Sequence, residues 1–257
     1  MRKIKLILEY DGTAYHGWQR QKKGLTIQQI VEGALRKMIR EKIPVVAASR
    51  TDSGVHALGQ VLHFSTKSSV SLRAFREGLN PLLPPDIVVR EAQEVSLQFH
   101  ARRDAKRKHY RYRIWNAPFR SPLLRNFSWH VRGPLDVERM NQASSWVVGE
   151  KDFSSFRSAG CASRQGRRRV YLAKWNRFEQ EITFDIEANA FLRHMVRSLV
   201  GSIVQVGLGR WSVDRFQRAL EACDRSQAAV TAPPQGLCLI SVRYTVVDQS
   251  KCPLMDQ

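Results

Sequence analysis

Arg107-Lys-His-Tyr-Arg-Tyr-Arg-Ile-Trp115 alternates residue by residue. With a period of two, Tyr110, Tyr112 and Ile114 fall on one face, and Arg107, His109, Arg111 and Arg113 on the other. That predicts a strand with aromatics on one side and a positive face on the other. Upstream, Ile4, Leu6, Leu8 and Tyr10 alternate over Lys3–Tyr10, a half-buried strand that Asp11-Gly12-Thr13 ends as a turn. Thr26 forms a capping box with Gln29, and Ile27, Ile30, Val31, Ala34, Leu35 and Met38 follow at helical spacing. Pro44–Ala48 and Val61–Phe64 read as strands with Gly54–Gly59 a loop between them. Leu72–Leu79 reads as a helix closed by Asn80-Pro81, and Ile87–Val95 as a strand. Downstream, Asp136 caps a helix running through Val148 and closing at Gly149. Ile182, Phe184, Ile186 and Ala188 alternate as a strand. Asn189 caps a helix whose stripe is Leu192, Met195, Val196, Leu199, Val200 and Ile203. Asp214–Cys223 is a further helix and Leu237–Val247 a closing strand. Strands and helices interleave without the regular beat of a doubly wound parallel sheet, so the expected class is α+β. A linker near Asn116–Pro122 divides the chain into residues 1–115, residues 116–247 and a tail, 248–257.

The chain has 257 residues and a net charge of +19, with 42 Lys and Arg against 23 Asp and Glu. That excess points to a polyanion, nucleic acid first, because neutralising phosphates releases counterions. Basic residues also run together at Arg102, Arg103, Lys106, Arg107, Lys108, Arg111 and Arg113, and again at Arg164, Arg167, Arg168 and Arg169. An anionic membrane surface would need a basic amphipathic helix with a bulky apolar face, and none is found. No apolar run reaches the ~20 residues of a membrane span. The N-terminus lacks the apolar core of a signal peptide, so a cytoplasmic location is expected. Cys161, Cys223, Cys238 and Cys252 are widely spaced with no C-x-x-C pair, which gives no metal-site spacing and reads as reduced thiols. Phosphate-binding glycine loops, dinucleotide fingerprints, H-E-x-x-H and nucleophile elbows are all missing from the sequence. No metal or nucleotide cofactor is therefore expected.

The densest polar cluster is Ser49-Arg-Thr-Asp-Ser-Gly-Val-His56, where a strand gives way to a turn. Asp52 lies two residues from Arg50. If the extended geometry persists, both point the same way and the guanidinium favours the ionised carboxylate. Such an Asp can serve as nucleophile or base; composition and spacing alone favour the plainer role of capping the turn at Asp52-Ser53-Gly54. Charge and spacing alone suit a catalytic site and a non-catalytic RNA-binding protein alike.

Ser49-Arg-Thr-Asp-Ser-Gly-Val-His-Ala-Leu-Gly-Gln-Val-Leu-His-Phe64 resembles the signature of TruA-type tRNA pseudouridine synthases. Five further stretches resemble the family in its order: Glu9-Tyr-Asp-Gly-Thr-Ala-Tyr-His-Gly-Trp-Gln-Arg-Gln21, Lys108-His-Tyr-Arg-Tyr112, Asp152-Phe-Ser-Ser-Phe-Arg157, Asn189-Ala-Phe-Leu-Arg-His-Met-Val-Arg197, and Thr231-Ala-Pro233 with Gly236-Leu-Cys-Leu239. Ser49 and Ser53 depart from the family's usual residues, and both are small. The resemblance implies two similar mixed α/β lobes with joined antiparallel sheets and a central basic cleft. It implies isomerisation of uridine to pseudouridine at positions 38 to 40 of the tRNA anticodon stem-loop, or the same isomerisation on another RNA. The reaction leaves the composition of the base unchanged and asks for no redox cofactor. By the same resemblance Asp52 is the essential carboxylate and Arg197 its basic partner. Arg50 holds the flipped nucleotide, Tyr110 stacks on uracil, and Leu237 lines the uracil pocket. The enzyme is implied to be a homodimer, one tRNA touching both subunits. Read without the resemblance, Tyr110 is sheet packing, Arg197 a snorkelling surface residue and Leu237 core.

Overall fold

The computed structural model describes residues 1–158, 160 and 165–244. Cys161, Arg164, Cys252, the tail 248–257 and the last residues of the expected closing strand lie outside the described residues. In β1 (Arg2–Tyr10) Ile4, Leu6, Leu8 and Tyr10 are buried, while Lys3, Lys5, Ile7 and Glu9 between them are half-buried. The Thr26 box forms as read: the Thr26 side chain accepts from Gln29 N–H and the Gln29 side chain from Thr26 N–H, and α1 (Ile27–Ile39) begins there. β2 is short (Val46–Ala47).

β3 spans His56–Thr66, so residues 56–59, expected in a loop, are strand. The cause is non-local. β1 pairs antiparallel along this segment, and β10 (Leu237–Arg243) pairs parallel with its start, Cys238 opposite His56 and Leu239 opposite Ala57. Residues 74–78 form a π-helical turn followed by a 3-10 turn at Asn80–Leu82, in place of a regular helix. Asn80 explains it: its side chain donates to Arg76 O and Val89 O and accepts from Val89 N–H, tying the turn to β4 (Ile87–Val95).

β5 (Arg107–Asn116) buries Tyr110, Tyr112 and Ile114 as expected. β6 (Trp129–Val131) pairs beside it. Asp136 caps α2 (Val137–Ser145), which stops short of Val148. The Ser145 hydroxyl donates to Gln142 O, and reverse turns follow before Gly149 opens β7 (Gly149–Asp152). The second basic run opens β8 (Arg167–Phe178), which pairs with β9 (Glu181–Ala188). Asn189 caps no helix; its side-chain oxygen accepts from Arg169 N–H and Ala190 N–H, and α3 (Met195–Gly207) starts five residues later than expected. α4 (Val213–Glu221) is capped by Ser212.

Among the described residues the strands form one sheet in the order β4-β1-β3-β10-β5-β9-β8-β7, with β2 beside β3 and β6 beside β5. Its pairings are antiparallel except β3 with β10 and β5 with β6. β10 sits between β3 and β5, so the last strand in chain order joins the two halves of the sheet. One apolar cluster continues across that join, taking in Leu6, Val31 and Phe64 from the first half and Phe184, Leu199 and Ile203 from the second. α3 is buried at every position but Arg197 and Gln205. It fits because the segment from Ala229 to Ala232 runs along it at close range. A Cβ on Gly201 would stand 2.0 Å from Val230 O.

Candidate active site

The segment from Ala48 to Val55 is held at several points along its length. Ala48 N–H donates to Val61 O, and the fully buried Gln60 amide donates to Ser49 O at 2.7 Å and accepts from Ser49 N–H. Thr51 Oγ1 meets the buried Tyr10 hydroxyl at 2.9 Å, and Thr51 O accepts from Trp18 N–H. Gly17, at φ +80, packs flat against this stretch; a Cβ there would stand 2.5 Å from Thr51 O. Ser53 Oγ and Gly54 N–H both donate to Tyr15 O. Asp52 therefore projects from a backbone with little freedom to move.

From the other half of the sheet, α3 presents Arg197 to the same point. Its Nη1 donates to Asp52 Oδ2 at 3.1 Å, and its Nε donates to Ala232 O at 2.8 Å. Ala232 N–H returns a bond to the Arg197 backbone carbonyl, which holds Ala232 in place beside the guanidinium. The pair is 145 residues apart in sequence. The structure brings these two predicted residues together, and Arg197 is half-buried rather than snorkelling.

Tyr110 lies nearby in β5, its ring almost wholly buried, with its hydroxyl 2.8 Å from Ser49 Oγ and its ring edge-on to Phe191 at 5.1 Å. Burial, with Asp52 as a further like-signed charge, pushes the phenol well above its ordinary range, so it is neutral. Leu237 opens β10 opposite Tyr112 and is buried. Arg50 is exposed. It borders a hollow of about 170 Å³ with Trp18, Gln19, Gln28 and Arg102. The carboxylate's cation is thus Arg197 and not Arg50: β2 ends at Ala47, and the alternation that would align Arg50 with Asp52 stops there.

The sequence reading assigned no role to His194. Its Nε2 lies 3.4 Å from the Asp52 oxygen that Arg197 holds. Its signal was available, since the helix expected from Asn189 onward puts His194 and Arg197 three residues apart on one face; in the structure His194 instead precedes α3. Gln60 and Ser49 were also unassigned, although each secures a candidate residue.

The positive face expected of β5 is neutralised. Arg111 grips Asp185 through Nε and Nη2 at 2.9 and 3.2 Å, His109 meets the same carboxylate, and Arg107 and Arg243 both reach Glu187. Burial alone would raise Asp185, but His109 and Arg111 outweigh it and hold the carboxyl below the usual range. Those cations are committed to β9, and that face is not a free basic surface.

The family profile described as tRNA pseudouridine synthase matches residues 6–104 and 143–245, which takes in Asp52 and Arg197. Proteins named tRNA pseudouridine synthase A are similar along nearly the whole chain. The one from Geobacter sulfurreducens is 50% identical over 244 residues, 95% of this chain and 100% of its own length. The one from Geotalea uraniireducens is 49% identical with the same coverage. The one from Citrifermentans bemidjiense is 48% identical over 253 residues, 98% of this chain and 100% of its own. With the match spanning both halves of a sheet that its last strand joins, the chain belongs to the tRNA pseudouridine synthase family.

Proposed function

We propose that this chain isomerises uridine to pseudouridine at positions 38–40 of the anticodon stem-loop of tRNA, with Asp52 as the catalytic carboxylate. The observation that carries the reading is the Asp52–Arg197 ion pair, closed at 3.1 Å between a tied-down loop and a buried helix. A half-buried carboxylate held by a fixed guanidinium partner is oriented for attack or proton abstraction. In the reaction the N1–C1′ bond breaks, the base turns, and C5 bonds to C1′. C5 then loses its proton and N1 gains one, so the base ends with its original composition.

A base stacked in a stem must leave the stack first, at a cost of a few kcal/mol. Arg50 suits the task of holding the flipped nucleotide, being exposed beside Asp52 with a fork that binds phosphate and stacks. Tyr110 supplies the aromatic surface for uracil, and Leu237 an apolar wall; base stacking on an aromatic is worth about 1–3 kcal/mol. Residues 1–115 and 116–247 act as two lobes of a basic cleft, the first supplying Asp52, Arg50 and Tyr110, the second Arg197 and Leu237. The enzyme works as a homodimer in the cytoplasm, with one tRNA across both subunits. Among the described residues no helix is long and apolar enough to cross a membrane.

Tritium release from a tRNA transcript labelled at uridine C5 tests the reading, because C5 must shed its hydrogen. Wild type is expected to release tritium from the stem-loop uridines. Asp52→Asn is expected to lose more than about a thousandfold in rate while still binding tRNA. Tight binding without release by wild type would identify a non-catalytic RNA-binding protein, and release by the variant would remove Asp52 from its role.

A further inference from the structure

We propose that His194 is a positioning residue for Asp52, holding the carboxylate oxygen that Arg197 holds and so leaving Oδ1 as the oxygen that meets the nucleotide. The inference rests on the reading of Asp52 as the catalytic carboxylate.

Three observations converge. The first is placement. Asp52 Oδ2 has Arg197 Nη1 at 3.1 Å and His194 Nε2 at 3.4 Å, whereas Oδ1 takes no hydrogen bond from any described residue. At 3.4 Å the imidazole stands just outside hydrogen-bond range, a distance typical of catalytic contacts that tighten once substrate closes the site.

The second is backbone. His194 sits at φ 62, ψ 4 immediately before α3. A residue with a Cβ occupies that left-handed region at a cost, and such conformations persist where the surroundings enforce them. Here Ser198 N–H bonds to His194 O, and Ser158 N–H to the neighbouring Arg193 O. The result is that the ring points at Asp52 instead of out from the helix start.

The third is charge. Burial lowers the imidazole's affinity for a proton; Asp52 opposes that, and Arg197, Arg193 and Arg225 reinforce it. The ring is therefore neutral at physiological pH. A neutral donor can fix Oδ2 without adding a second full positive charge to it, and Oδ1 keeps the basicity its chemistry needs. When the ring is protonated, the extra charge on Oδ2 drains that basicity.

The experiment is tritium release across pH 5–9 for wild type, His194→Gly and His194→Gln, with Asp52→Asn alongside and the His194 ring followed by NMR. Glycine takes a positive φ freely, so His194→Gly keeps the backbone and folds. It is expected to lose about ten- to a hundredfold in kcat, the worth of a hydrogen bond to a charged group, with KM for tRNA unchanged. His194→Gln restores a neutral donor, recovers much of kcat, and shifts the acid limb of the pH profile to lower pH. In Asp52→Asn the His194 ring titrates at lower pH than in wild type, because a negative neighbour is gone.

His194→Gly as fast as wild type, an acid limb that His194→Gln leaves in place, or a ring titration indifferent to Asp52→Asn overturns the proposal while Asp52 keeps its role. A wild type that releases no tritium, or an Asp52→Asn variant that does, overturns the reading of Asp52 and this proposal with it.

Discussion

At Arg197 one guanidinium serves two acceptors in different directions, Ala232 O through Nε and Asp52 through Nη1. A lysine ammonium on its longer, looser stem cannot span both with fixed geometry. Arg197→Lys is therefore expected to keep the fold and the charge but to lose about ten- to a hundredfold in kcat, the equivalent of one charge-assisted hydrogen bond. Equal kcat in single-turnover measurements of the two proteins would show that the fork is not needed. At this scale Asp52, Arg197, Tyr110, Arg50 and Leu237 could be picked out from motif resemblance, but their partners could not. Nothing local in the sequence says that Arg197 turns to Ala232, that Ser49 meets Tyr110, or that Gln60 is spent on the Asp52 loop. The first two of those bonds close over 35 and 61 residues, and the third, over 11, joins a strand to a loop whose path no periodicity encodes.

β5 shows the same division within one element. Its alternation placed Tyr110, Tyr112 and Ile114 correctly, because periodicity is a local property. The fate of its basic face depended on β9, whose Asp185 and Glu187 arrive from more than seventy residues away. Helices that missed their expected limits did so through competing polar groups: Asn80 at the π-helical turn, Ser145 at the end of α2, Asn189 before α3. Lys108 is the exception within β5, a lysine on the aromatic face with its ammonium buried and donating to Ala48 O at 2.6 Å. Burial first, then Arg102 and Arg168, push its pKa down to about 8. The folded state thus gives up this proton at lower pH than the unfolded chain does. Between about pH 8 and 10.5 the unfolded chain binds more protons, so stability rises with pH over that window and the cost of the buried charge is in full force below it. Urea unfolding of wild type and Lys108→Met should show wild type gaining on the order of 2–3 kcal/mol relative to the variant from pH 8 to 10.5. A gap that stays constant with pH would place the Lys108 proton elsewhere.

For the whole molecule, the α+β class and its interleaving followed from patterning, whereas the order of strands in the sheet did not. Patterning also passed over β6, β7 and β8, the last of which hid in a basic run. A net charge of +19 predicts two salt responses of opposite sign for the proposed dimer. Two such chains repel each other, and salt screens the repulsion. Sedimentation equilibrium should find about twice 29.5 kDa, with dimerisation tightening as salt rises. Affinity for tRNA should instead fall about a thousandfold or more between roughly 50 and 200 mM salt if six or more phosphates are neutralised. A monomer at every salt concentration would dispose of the dimer. The central place of β10 has a further consequence, for synthesis on the ribosome. β3 and β5 have both emerged well before β10, and each then lacks the neighbour that will separate them. At about 5–20 residues per second the wait lasts on the order of ten seconds, during which two unpaired strand edges are open to other chains. Asp52 is likewise without Arg197 for most of that time. A nascent chain of this protein is thus at once inactive and at its stickiest, and translation speed through the second half becomes a determinant of yield.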